Sequence, residues 1–76
     1  MTNSYRVVLP NSQHVWPNRK GEWRVIRYGA TRSSRIFSNR SDAMRYARGL
    51  VRKARAELYL HRTDGMVERL ESYAAV

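Results

Sequence analysis

Apolar residues recur along the chain with two different periods, and the change between them divides it into elements. Trp23 and Val25 alternate with Arg24, while Ile26 and Tyr28 fall on the second face, so Glu22 to Tyr28 reads as a strand closed by Gly29. His14 to Pro17 is a shorter strand, joined to it through the turn formers Asn18, Arg19, Lys20 and Gly21. Arg35, Ile36 and Phe37 form a third strand. Between Asn39 and Ala56 the spacing becomes helical, with Ala43, Ala47, Leu50, Val51 and Ala54 on one face. Asn39 is placed as N-cap and Asp42, three residues on, can answer it and complement the positive helix end. Alternation then resumes from Glu57 to Arg62, and Thr63, Asp64 and Gly65 make a hairpin turn into a last strand from Met66 to Tyr73.

The order is therefore β-β-β-α-β-β. The expected fold class is α+β, one helix packed on a small, mainly antiparallel sheet of four to five strands. Residues 1–13 are expected to be an N-terminal arm or an extra edge strand, with the run Tyr5 to Leu9 closed by Pro10, Asn11 and Ser12. Residues 14–76 are expected to form a single compact domain. One helix covers only one sheet face. Trp16, Tyr28 and Tyr59 are candidates for the other, and an open face or free edge leaves room for a homodimer.

Charge changes the picture next. The chain carries a formal +9, from 13 arginines and two lysines against six acids. Residues 1–56 hold a net +11 and residues 57–76 a net −2, so the C-terminal hairpin reads as structure. Glu68, Arg69 and Glu71 there suggest cross-strand pairing. Arg45, Arg48, Arg52 and Arg55 are spaced three, four and three apart, which places them on a helical stripe separate from the apolar face. Guanidinium grips phosphate or carboxylate through two parallel hydrogen bonds. Arg32 and Arg35, leading into the helix, extend the patch, and Trp16 is a candidate contact on the open face.

Other chemistry finds little support. The chain has no cysteine, which excludes disulfides and thiolate metal sites. His14 and His61, set beside Asp64 or Glu22, lack a neighbouring nucleophile or metal, and a hydrogen-bonding structural role is expected for His61 at its strand end. No catalytic residue, metal or cofactor is expected, and the protein is expected not to be an enzyme. No apolar run approaches the roughly 20 residues that span a bilayer, so no membrane partner and a cytoplasmic location are expected.

The ordered set His14-Val15-x-Pro17, Gly21 with Trp23-x-Val25, Gly29 with Arg32, Asn39-x-x-Asp42-Ala43, Ala47-Arg48 and Leu50, His61-x-x-Asp64-Gly65 and Ser72-Tyr73 resembles domain-of-unknown-function family 2188, found in small bacterial and phage proteins. The resemblance runs from about residue 14 to residue 73. It implies one helix on a small, mainly antiparallel sheet, and it brings no catalytic residues. The chain departs from the usual pattern in Trp16, where a small aliphatic is common, and in its far more basic helix.

The functional expectation is a small nucleic-acid-binding accessory protein. It would contact backbone phosphates through the arginine-striped helix, with low sequence specificity. The alternative is a protein-binding modulator, such as a phage-type inhibitor that docks its basic face on an acidic or nucleic-acid-binding surface of a host protein.

Overall fold

The computed structural model describes residues 9–74. Five strands and one helix follow each other as β1 (Gln13–Pro17), β2 (Trp23–Arg27), β3 (Arg35–Phe37), α1 (Arg40–Ala54), β4 (Glu57–His61) and β5 (Val67–Ser72). This is the α+β order that the two periodicities predict. The sheet order is β3-β2-β1-β4-β5. Hairpin turns join β1 to β2 and β4 to β5, so those pairs are antiparallel, as is β2 with β3. The helix returns the chain from the β3 edge across the sheet to the far side of β1. A crossover of that kind lays β4 parallel to β1, and the sheet is mixed.

The register assigns every side chain to a face. Val15, Val25, Leu58 and Leu60 point to the helix and are buried against Ala43, Met44, Ala47 and Val51. Trp23, Phe37, Tyr46 and Tyr73 pack around that core. Asn39 caps the helix as expected. Its Oδ1 accepts from the Asp42 amide at 2.8 Å, and its own side-chain amide donates to the Asp42 carboxylate at 3.0 Å.

Three expectations shift. Ala54 is exposed, and Met44 takes a core position instead. The cause lies at the helix end, where Arg55 turns into the left-handed region at φ 53, ψ 50 and delivers the buried Ala56 to close that end of the core. The Ala56 amide reaches back to the Val51 carbonyl at 2.9 Å, and the Arg55 amide to Arg52 at 3.3 Å, the paired bonds of a Schellman ending. Second, the boundary between residues 13 and 14 cuts into the domain body. Ser12 is fully buried, with its Oγ accepting from the Glu57 amide at 3.0 Å and its carbonyl from the Tyr28 amide at 2.8 Å, so it clamps β1 between both neighbours. The rest of the predicted arm, residues 1–8, lies outside the described residues. Third, Tyr59 is on the face away from the helix yet only 7% exposed. No described helix is long and apolar enough to cross a membrane.

Candidate nucleic-acid interface

Helix position decides what each arginine of the stripe can do. At about 100° per residue, Arg45, Gly49 and Arg52 lie near the centre of the outward side and Arg48 lies on the flank where it meets Glu71, while Arg55 stands just past the helix as the left-handed residue that ends it. Arg45 is exposed and makes no ion pair among the described residues. Gly49 leaves the surface beside it bare, because nothing stands within 4 Å of where its Cβ would be. Arg52 is exposed, with its guanidinium 5.3 Å from the centre of the Tyr73 ring. A cation over a ring face keeps its in-plane N–H donors free, so Tyr73 steadies Arg52 without occupying its hydrogen bonds.

Arg48 is different. Its Nε and Nη2 grip the two carboxylate oxygens of Glu71 at 2.9 and 2.7 Å, and its side chain is 33% exposed. Glu71 also accepts from Tyr73 Oη at 2.8 Å and lies 3.2 Å from Arg69 Nε. The Arg48 bond chiefly holds the Glu71 carboxyl down to about 2, against the opposing effect of burial, and Glu71 in turn raises Arg48 above its ordinary range. Arg40 and Glu68 form a looser pair at 3.5 Å. The acids of β5 therefore answer the helix as well as their own strand. Glu71 and Arg69 share the helix-side face of β5, which is why Arg48 can reach them from above.

The remaining predicted residues scatter. Arg35 lies over the Phe37 and Tyr46 rings at 5.5 and 5.4 Å, on the flank of the helix away from Arg48. Arg32 is exposed in the β2–β3 loop. Trp16 is on the opposite side of the sheet, stacked on His61 with 3.5 Å between centroids, so it cannot share a surface with the helix stripe. The sequence reading missed Glu71 and Tyr73 as organisers. The available signal was their spacing of two, which sets both on one strand face.

Arg55 carries an independent mark. A non-glycine residue in the left-handed region costs about 1 kcal/mol, and glycine is the usual occupant of this helix-ending position. Arg55→Gly is expected to stabilise the fold by about 0.5–1 kcal/mol in a denaturant titration, relieving the left-handed backbone. Were its guanidinium to contact a nucleic-acid phosphate, the same substitution would also weaken duplex binding about fivefold at about 0.15 M salt. The two effects would then have opposite signs, which a purely structural role does not produce.

No curated protein and no solved structure matches the chain. A family profile does match, over residues 13–73, which takes in every strand and the helix. The chain therefore belongs to DUF2188, the family described as an uncharacterized protein conserved in bacteria.

Proposed function

We propose that the protein binds the phosphate backbone of nucleic acid through the outward side of α1. The observation that carries this reading is the charge left unanswered there. Arg45, Arg52 and Lys53 are exposed on a helix whose single acid, Asp42, is engaged in the N-cap, and Arg55 is exposed immediately past its end. Among the described residues, the acids of β5 pair with Arg40, Arg48 and Arg69. Cations along one helix face meet a polyanion without needing to read bases, so affinity should vary little with sequence. Arg48 acts as a positioning residue, holding β5 and Tyr73 under Arg52.

The test is fluorescence-anisotropy titration of labelled duplex DNA, single-stranded DNA and duplex RNA with nuclease-treated protein over a salt series. Binding that survives near physiological salt, with similar affinity for unrelated sequences, is the expected result. Loss of binding to all three at that salt overturns the proposal. An acidic protein surface then becomes the partner to seek, recognised by one or two dominant anchor residues instead of graded losses.

A further inference from the structure

The sheet face away from the helix brings together the two histidines, 47 residues apart in the chain. β1 and β4 are parallel neighbours with His14 opposite Tyr59, so His61 lies diagonally next to His14. His14 Nδ1 and His61 Nε2 are 2.7 Å apart, with 5.0 Å between ring centroids and 24° between ring planes. The centroid separation is little more than the N···N distance plus the two ring radii, so the nitrogens point at each other. That is hydrogen-bond geometry. Two imidazoles sharing a metal would instead aim both lone pairs at a third point about 2.0–2.1 Å from each.

The direction of the bond follows from a second contact. His61 Nδ1 is 3.2 Å from the Gly65 carbonyl, which can only accept. His61 therefore carries its proton on Nδ1, its Nε2 is the acceptor, and His14 Nδ1 must donate. The neutral His14 is left with a bare Nε2 on a half-buried ring. Stacking fixes both rings in place, His61 beneath Trp16 and His14 against Tyr59 at 4.9 Å.

We infer that His14 and His61 form a directional proton-accepting pair, which takes one proton from solvent at His14 Nε2 and resists a second. The first proton adds to the free lone pair and breaks no bond, and the resulting cation donates more strongly to His61. The second must enter His61 Nε2, which would set two N–H donors and two cations face to face across the same 2.7 Å. The surrounding charges do not offset this. On β2 Arg24 bonds Ser33, on β4 Glu57 accepts from Tyr59 Oη, in the turn Arg62 pairs with Asp64, and on β5 Glu68 pairs with Arg40. Tyr28 also faces His14, with 6.2 Å between ring centroids. Burial is the main cause that lowers both histidines below their ordinary 6.5, and like-charge repulsion between the rings falls on whichever is protonated second. The unfolded chain thus takes up protons first. The pair's contribution to stability is complete above about pH 6.5 and is lost as pH falls through the lowered folded-state values.

Long-range proton–nitrogen NMR of the nitrogen-15-labelled protein between pH 8 and pH 4 tests this directly. At pH 8 both rings should carry hydrogen on Nδ1 and none on Nε2, and on acidification His14 Nε2, whose lone pair is free, should gain a proton first, with His61, whose Nε2 is engaged, following at lower pH. His61→Phe keeps a flat ring beside Trp16 and removes the acceptor. In that variant His14 should lose its fixed Nδ1 proton and take up its charge at lower pH than in the native protein, because its cation no longer has an acceptor while its burial remains. The inference is overturned if either ring of the native protein is protonated on Nε2 at pH 8, if the two titrate independently at the ordinary value, or if His14 is unchanged in a folded His61→Phe protein. Where that variant does not fold, the native tautomers alone decide.

Discussion

Replacing Arg45 and Arg52 together by glutamate is expected to lower affinity for a DNA duplex by about 30-fold or more at about 0.15 M salt. Each phosphate contact releases condensed counterions and contributes a slope near −0.9 in log affinity against log salt, which is worth about fivefold at that concentration. Two lost contacts multiply to about 30, and the introduced carboxylates add repulsion. The fold should survive the change. Both side chains are exposed, neither pairs with a carboxylate among the described residues, and glutamate favours helix as well as arginine does. The loss is read by anisotropy, with circular dichroism confirming an unchanged fold.

Arg48→Ala should give the reverse pattern, a stability loss of about 1–2 kcal/mol with little change in binding slope. It removes two charge-assisted hydrogen bonds from a carboxylate that is only 14% exposed. The same ion pair sets the acid behaviour. Glu71 titrates at about 2 in the folded protein and near 4.5 otherwise, so the unfolded chain binds a proton first as pH falls. Its contribution, at most about 3 kcal/mol, is complete above about 4.5 and disappears as the pH drops to about 2. Urea denaturation at stepped pH should show that loss in the native protein and a flatter profile in Glu71→Gln.

The fold was legible because local signals agreed. Period-two alternation in Trp23 to Tyr28 and Glu57 to His61, the Asn39 cap and the Gly65 turn all point to one architecture. Residues that the helical pattern grouped separated once tertiary contacts were in place. Arg45 and Arg48 are three apart and chemically alike, yet one faces solvent and the other is held by a carboxylate 23 residues away. Nothing local distinguishes them. The β4–β5 register brings Glu71 beneath the helix, and the parallel pairing of β1 with β4 brings His14 to His61. Pairings between distant strands are invisible to spacing along the chain. Trp16 was legible as an open-face residue, but its partner His61 was not, for the same reason.

The most direct test of the account is the salt dependence of duplex binding by the native protein, Arg45→Ala and Arg48→Ala, measured side by side. The account predicts that Arg45→Ala reduces the magnitude of the slope by about 0.9 and that Arg48→Ala leaves it unchanged while lowering stability. An unchanged slope for Arg45→Ala, or an equal reduction in both variants, would contradict it.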